Sequence, residues 1–141
     1  IVQCLVGSEM CIRDRAKIEN TIFDFEENLA DLINQSDLCI TRAGASTLAE
    51  LSIMNKPFLT IPLVSAKDNH QFENANFYQN LGCCWIMNQK DFNDVNLEKF
   101  LNHIIMNKSE YNIKKNNLEK HNSQNSWNNI NQKILEIINE N

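Results

Sequence analysis

The stretch that decides the fold is residues 38–50, LCITRAGASTLAE. It begins as a short apolar run of strand length and passes through a glycine turn, after which Leu48 and Leu51 recur at helical spacing. A strand, a tight turn and a helix start bring free backbone N–H groups and the positive end of a helix dipole together. The pattern therefore predicts a cradle for an anion such as phosphate, which the backbone at Gly44 can approach closely.

A second motif, KDNHQFENA at residues 67–75, follows the strand-like run FLTIP at residues 58–62. Together, the segments SDLCITRAGASTLAEL, KPFLTIPL and DNHQFENA resemble the carboxy-terminal, donor-binding domain of the MurG family. That family consists of bacterial glycosyltransferases that move N-acetylglucosamine from its UDP carrier onto the lipid-linked precursor of peptidoglycan. The resemblance extends from about residue 23 to the end and is densest between residues 37 and 75.

Composition limits the class of protein. A length of 141 residues permits one domain with a hydrophobic core, and a net charge of −5 argues against a nucleic-acid partner. The apolar runs have the length of strands and are too short for a membrane span. The 5 cysteines, an odd number without a secretory signal, indicate reduced cytosolic thiols. Cys83 and Cys84 have no second CxxC or histidine cluster, so a zinc site is not expected.

The first 15 residues match nothing in the family and resemble a translated sequencing-adapter scar. We therefore expect residues 1–15 to be non-native, and residues 16–141 to form an incomplete domain that binds a UDP-sugar. The alternative is a genuine edge strand over residues 1–6.

Strands alternate with helices along the rest of the chain. The patterns predict an extended segment over 17–25, helices over 26–34, 47–54, 69–80 (stopped by Gly82) and 95–106, and strands over 38–41, 58–61 and 84–87. A last helix is predicted through Trp127, Ile130, Ile134, Leu135 and Ile138. This order predicts the α/β class, with a parallel sheet and helices on both faces. The resemblance implies a partial Rossmann-like sheet within the carboxy-terminal domain of a GT-B glycosyltransferase, without its first strand and glycine loop and without the acceptor-binding domain.

The turn and the following helix hold the first candidate site residues. The resemblance implies that Ala45, Ser46 and Thr47 bind the diphosphate of UDP, and that Glu50 accepts hydrogen bonds from the ribose hydroxyls. A carboxylate suits that diol because it accepts from both hydroxyls. The alternative is a capping box, with Thr47 as the N-cap residue and Glu50 as its partner.

Two neighbours complete this turn. Arg42 corresponds to an arginine that the family places close to the phosphates, and its alternative role is a salt bridge across the sheet edge. At Gly44 a side chain is expected to crowd either the turn or the ligand.

The second motif supplies contacts to the sugar. By resemblance, His70 and Gln71 face the sugar hydroxyls, and Gln71 is the better candidate because the family varies at the position of His70. The alternative is an N-cap at Asp68 with Gln71 as its partner. Asn74 is assigned to the same site, as a support for the loop.

Phe25 and the backbone of Glu26 match the uracil pocket of the family. The family has an apolar residue where this chain has Glu26, so the side-chain contact to uracil would change. A contact made by the backbone of Glu26 would be kept. No Asp-x-Asp pair is present to hold a divalent cation, and no cofactor is expected. By resemblance, a helix dipole and backbone donors stabilise the departing diphosphate instead.

The resemblance implies a fragment of an inverting transferase that moves N-acetylglucosamine from UDP-N-acetylglucosamine onto lipid-linked muramyl pentapeptide, at the cytoplasmic face of the cell membrane. The missing amino-terminal domain would bind the acceptor and the membrane and supply the catalytic base, so we expect no catalytic residue and no activity in this chain alone. One alternative is a nucleotide-sugar-binding subunit with a separate membrane partner, which a start codon near Lys17 would favour. Another is a related GT-B enzyme with a different lipid acceptor.

Overall fold

The computed structural model describes residues 26–64, 69–125, 129–132, 135 and 138. The strands are β1 (Cys39–Thr41), β2 (Phe58–Thr60) and β3 (Cys84–Ile86). The helices are α1 (Leu29–Gln35), α2 (Ala45–Ile53), α3 (His70–Asn80), α4 (Asp94–Met106) and α5 (Lys108–Gln124), and a 3₁₀ turn, Gln89–Asp91, follows β3. Residues 129–132, 135 and 138 are also helical, in the region of the predicted last helix.

The strands form a parallel sheet in the order β1-β2-β3, with Thr41 opposite Thr60 and Thr60 opposite Ile86. Parallel neighbours require crossover connections, which α2 provides between β1 and β2 and α3 provides between β2 and β3. All carboxyl ends of the strands therefore meet at one edge of the sheet. The predicted α/β class with a parallel, partial Rossmann-like sheet is confirmed.

The central strand lies in the core. Phe58 and Leu59 are fully buried, as expected for a strand covered by neighbours in the sheet and by helices. Leu48 of α2, Ala75 of α3 and Leu118 of α5 join the same core. Each large apolar side chain contributes about 1.5–3 kcal/mol when it is fully buried, so these contacts fix α2 and α3 against the sheet.

Helix α5 was not predicted from the sequence, because the side of this helix that meets the rest of the domain is largely polar. Leu118 is its buried apolar residue among those described. Four other side chains of α5 donate hydrogen bonds to backbone carbonyls at distances between 2.7 and 3.1 Å, namely Tyr111 to Asp37, Lys114 to Cys84, Asn117 to Gly82 and Asn122 to Ser52. Hydrogen bonds thus attach a helix whose hydrophobic periodicity is too weak to recognise.

The predicted element boundaries need small corrections. The first helix begins at Leu29 rather than residue 26, and α2 begins at Ala45 rather than residue 47. Gly82 ends the α3 region with a φ of 70°, as predicted, and a Cβ there would lie 2.7 Å from Asn117 Nδ2. The extended segment at 17–25, the adapter-like residues 1–15 and Trp127 lie outside the described residues.

The cysteines that the structure describes are free thiols. Cys39 is half-buried, and Cys83 and Cys84 are buried. Burial raises the pKa of the Cys84 thiol to about 12, so this group stays protonated and behaves as a small apolar side chain.

Candidate functional site

The candidate residues gather at the carboxyl edge of the sheet, which is where ligands bind in open α/β sheets. Residues 42–44 form the loop after β1 and lead directly into α2. Leu63 belongs to the loop after β2, and the 3₁₀ turn Gln89–Asp91 belongs to the loop after β3. Side chains from α3 reach the first two of these loops.

The start of α2 presents free donors. The first hydrogen bond of the helix runs from Leu48 N to Gly44 O at 3.0 Å. The N–H groups of Ala45, Ser46 and Thr47 precede that bond and have no intrahelical acceptor. Ala45 and Ser46 are also exposed. We call this segment, Gly44 to Thr47, the anion turn, because its donors and the positive end of the helix dipole coincide.

The predicted capping box at Thr47 and Glu50 is wrong. Gly44 is the N-cap residue, so Thr47 occupies the third helical position and Glu50 lies in the second turn. The helix begins earlier because Ala45 and Ser46 adopt helical geometry, and glycine is a tolerated N-cap. Glu50 is exposed, and its carboxylate makes no hydrogen bond within the described parts of the chain.

The turn itself does not require glycine at position 44. Gly44 has a φ of −69° and a ψ of 133°, values that every residue type adopts. An added Cβ would meet Thr47 Oγ1 at 3.9 Å, which is an ordinary contact distance. The expectation that a side chain would crowd the turn is therefore wrong, and the expected crowding of a ligand stays a prediction.

Helix α3 holds the loops on either side of the site. Asn74 Nδ2 donates to the carbonyl oxygen of Ala43 at 3.1 Å, so this side chain contacts the loop after β1. One turn earlier, Gln71 Oε1 accepts a 2.9 Å hydrogen bond from the backbone N–H of Leu63. The predicted cap at Asp68 with Gln71 as its partner is wrong, because Asn69 is the N-cap residue and Gln71 serves the loop instead. Asp68 lies outside the described residues.

Arg42 crosses the carboxyl edge of the sheet. Its Nη1 donates to the carbonyl of Ile61 at 3.2 Å and to Gln89 Oε1 at 3.5 Å. No carboxylate pairs with it in the described part of the chain, so the predicted alternative of a salt bridge is wrong. Neutral acceptors hold the side chain in place while its charge remains unneutralised.

The remaining candidates are His70, Glu26 and Phe25. His70 is the first residue of α3 and is exposed. Glu26 is half-buried, and its Oε1 accepts a 2.9 Å hydrogen bond from the N–H of Asn28 at the start of α1. Phe25 lies outside the described residues. The uracil contacts assigned to Phe25 and Glu26 therefore remain a prediction.

A pocket that was not predicted from the sequence lies between the loops that follow β2 and β3. The pocket has a volume of about 240 Å³. Its walls combine apolar side chains with amides, and they consist of Pro62, Leu63, Val64, Asn69, Phe72, Asn88 and Gln89. The pocket could have been found from the positions of these residues in the sequence, because residues that follow adjacent parallel strands share one edge of the sheet.

Comparison with known proteins identifies the family. The model of the glycosyltransferase family 28 C-terminal domain matches residues 6–134, a range that begins within the 15 residues for which no match to the family was expected. The chain belongs to this family. A transferase of Pelagibacter ubique, named UDP-N-acetylglucosamine--N-acetylmuramyl-(pentapeptide) pyrophosphoryl-undecaprenol N-acetylglucosamine transferase, is 51% identical over 130 residues, or 92% of this chain and 36% of the relative.

Other family 28 relatives agree. A Rickettsia bellii transferase of the same name is 34% identical over 111 residues, which is 72% of this chain and 31% of that protein. The crystal structure of Acinetobacter baumannii MurG superposes with a TM-score of 0.62 at 25% identity, covering 86% of this chain and 34% of that one. The predicted membership of the MurG family is confirmed. The family 28 chain described here spans about a third of the length of these relatives.

The described residues include neither a membrane-spanning helix nor a cluster of metal ligands. No helix among them is long and apolar enough to cross a membrane. They also contain no group of three or more His, Cys, Asp or Glu side chains arranged to hold a metal ion.

Proposed function

We propose that this chain is the donor-binding part of a glycosyltransferase that transfers N-acetylglucosamine from UDP-N-acetylglucosamine. The observation that carries the proposal is the anion turn. Its three free N–H groups, from Ala45 to Thr47, lie at the positive end of α2, and no atom of the chain lies close enough to Gly44 to exclude a side chain there. The names of the relatives supply the identity of the sugar nucleotide.

The diphosphate of UDP is assigned to the anion turn. Backbone N–H groups donate to the phosphate oxygens without the entropic cost of ordering side chains, and the helix dipole adds positive potential. Ser46 and Thr47 add hydroxyl donors at the same point. The unpaired guanidinium of Arg42, held by the Ile61 carbonyl, supplies a full positive charge near this edge.

The ribose is assigned to Glu50. A carboxylate without an internal partner accepts hydrogen bonds from two neighbouring hydroxyls, and exposure leaves it accessible. The hexose is assigned to His70 and Gln71 at the start of α3. Gln71 Oε1 is already occupied by Leu63 N–H, so the amide group of Gln71 offers its nitrogen to the sugar as a donor.

In the proposed reaction, a hydroxyl oxygen of the acceptor forms a bond to the anomeric carbon of the sugar. The bond between that carbon and the β-phosphate oxygen breaks, and the electron pair leaves with UDP. The negative charge that grows on the diphosphate is stabilised by the preorganised donors of the anion turn. A base outside this chain takes the hydroxyl proton.

The relatives are about three times as long as the matched region, so we assign the acceptor to a further domain. The names of the relatives suggest that this acceptor is the lipid-linked muramyl pentapeptide. Because that acceptor is anchored in lipid, we place the enzyme at the cytoplasmic face of the cell membrane, with membrane contact made by the further domain.

Gly44→Ala tests the proposal in the protein encoded by the complete reading frame. The added methyl group meets no close atom of the chain. Alanine is a poorer N-cap residue than glycine, which lowers the free energy of unfolding, but it also restricts the unfolded chain, which raises it. We therefore expect the free energy of unfolding to change by less than about 1 kcal/mol. Calorimetric titration should show UDP binding at least about tenfold weaker, which corresponds to about 1.4 kcal/mol.

Asn116→Ala on α5 is a suitable control, because Asn116 is exposed and is not among the residues assigned to the nucleotide. This variant should bind UDP like the unaltered protein. If Gly44→Ala retains full affinity for UDP, the diphosphate does not approach the anion turn and the proposal fails.

A further inference from the structure

We propose that Asn74 is a positioning residue for the anion turn. Through the carbonyl of Ala43, Asn74 fixes the direction of the N–H groups that the proposed function assigns to the diphosphate, and the inference rests on that function. Asn74 itself touches the backbone of the chain and not the ligand.

The need for such a residue follows from the cap of α2. A side chain of the N-cap residue usually accepts a hydrogen bond from the first helical turn and so fixes the entry of the chain. Gly44 has no side chain, and α2 has no side-chain cap. Glycine is also the residue with the greatest backbone freedom, so no side chain of the turn restrains the peptide group that enters it.

Asn74 supplies that restraint from outside. The peptide group that contains the Ala43 carbonyl also contains the N–H of Gly44, and this group is planar. A hydrogen bond of 3.1 Å from Asn74 Nδ2 to Ala43 O therefore sets the plane from which the turn begins. Ala43 is completely buried, which holds the other side of this peptide in place.

The helix that carries Asn74 is itself fixed. Ala75, the next residue, is completely buried in the core. Gln71, one turn earlier, binds the backbone of Leu63 at 2.9 Å, so α3 is attached to the loop after β2 as well as to the loop after β1. The donor group of Asn74 is therefore held in a fixed position. Loss of this donor should loosen the anion turn more than the rest of the fold.

The proposal separates phosphate binding from nucleoside binding. The anion turn is assigned to the diphosphate, whereas the ribose is assigned to Glu50 in the second turn of α2. Removing the Asn74 donor should therefore weaken ligands that carry phosphate and leave uridine almost unaffected. A substitution that merely damaged the domain would weaken both ligands.

Asn74→Asp and Asn74→Ala test this in the protein encoded by the complete reading frame. Aspartate has nearly the same shape as asparagine but cannot donate to a carbonyl when it is ionised. We expect the dissociation constant for UDP, measured by calorimetry, to rise at least about tenfold in Asn74→Asp and about threefold to tenfold in Asn74→Ala. The dissociation constant for uridine should change by less than about twofold in both variants.

Asn76→Asp is the matched control, because it makes the same chemical change on the same helix, about 200° around its axis. It should bind both ligands like the unaltered protein. Equal losses for UDP and uridine, or unchanged UDP affinity in both Asn74 variants, would overturn the proposal. If Asn74→Asp does not fold, Asn74→Ala decides by the same two titrations. A failure of the unaltered protein to bind UDP would instead refute the proposed function.

Discussion

Trp85 and Glu110 are joined by a hydrogen bond of 2.6 Å from the indole Nε1 to Glu110 Oε1, which connects β3 to the first turn of α5. The second carboxylate oxygen of Glu110 lies 2.7 Å from Nε2 of His103, at the end of α4. Lys114 completes the cluster, with its Nζ 4.7 Å from the centre of the Trp85 ring. The carboxylate of Glu110 therefore connects α5 to both β3 and α4.

This cluster predicts a pH-dependent contribution to stability. The hydrogen bond from Trp85, followed by that with His103, lowers the pKa of Glu110 below its ordinary value of 4.5. The ionised carboxylate therefore stabilises the folded chain fully above pH 4.5, and the contribution disappears as the pH falls through the lower pKa of the folded state. Between about pH 5 and pH 3, the melting temperature of Glu110→Gln should therefore fall less than that of the unaltered chain. Circular dichroism measures both melting temperatures.

Glu119→Gln is the control for this measurement, since Glu119 is exposed on the same helix, α5. It should leave the dependence of the melting temperature on pH unchanged. An identical pH dependence in Glu110→Gln and the unaltered chain would show that the cluster contributes nothing that responds to pH.

A second prediction concerns the attachment of α5. Asn122 Nδ2 donates to the carbonyl of Ser52 and to Asn55 Oδ1, both at 2.7 Å and both partly buried. Asn122→Ala removes the donor to Asn55 Oδ1 and leaves the Ser52 carbonyl with the N–H of Asn55 alone, so the free energy of unfolding should fall by about 1–3 kcal/mol. Urea denaturation measures this loss, and Asn116→Ala, an exposed asparagine on α5, should change the value by less than about 0.5 kcal/mol.

The same contacts explain what the sequence could not predict. Sequence patterns identify helices through apolar periodicity, and they identified α4 because its apolar residues share one face. Helix α5 binds the domain through Tyr111, Lys114, Asn117 and Asn122, whose polar character is typical of an exposed surface. Their acceptors are backbone carbonyls distant in the chain, and no local pattern contains that information.

The position of the candidate site in the fold is easier to predict from the sequence than the contacts within it. The order of strand, glycine turn and helix is a local pattern, and the structure has Ala45 to Thr47 as the first three residues of α2. The Thr-x-x-Glu pattern of a capping box was also present, but the pattern alone does not define which residue begins the helix. The contact between Asn74 and the Ala43 carbonyl was expected only as general support for the loop, because its partner is 31 positions away.

The corrected start of α2 sharpens the prediction for Glu50. Because Glu50 caps no helix, Glu50→Ala should leave the melting temperature unchanged. Replacement of a true capping residue by alanine would lower the free energy of unfolding by about 1 kcal/mol. Loss of a charged acceptor for the ribose hydroxyls should weaken UDP binding by about 1.5–3 kcal/mol. Calorimetric titration and thermal unfolding of the same samples measure both quantities. Unchanged UDP affinity would remove Glu50 from the proposed nucleotide site.

The last prediction concerns Gln71, whose two amide atoms have separate tasks. Its Oε1 accepts from Leu63 N–H at 2.9 Å, which leaves Nε2 as the group that can donate to a sugar oxygen. In Gln71→Glu the carboxylate keeps the acceptor for Leu63 but has no donor, so the loop should stay in place while the sugar contact is lost. The affinity for UDP-N-acetylglucosamine should fall by about 0.5–1.5 kcal/mol, the value of a neutral hydrogen bond, and the affinity for UDP should stay within about twofold.

Gln71→Ala separates the two tasks further, because it removes the acceptor as well as the donor. It should weaken UDP-N-acetylglucosamine at least as much as Gln71→Glu and should also lower the melting temperature, since Leu63 N–H loses its partner. Competition titrations with UDP and UDP-N-acetylglucosamine, run on both variants, give the required affinities. Equal losses for the two ligands in Gln71→Glu would assign Gln71 to the loop alone and leave the hexose contact to His70.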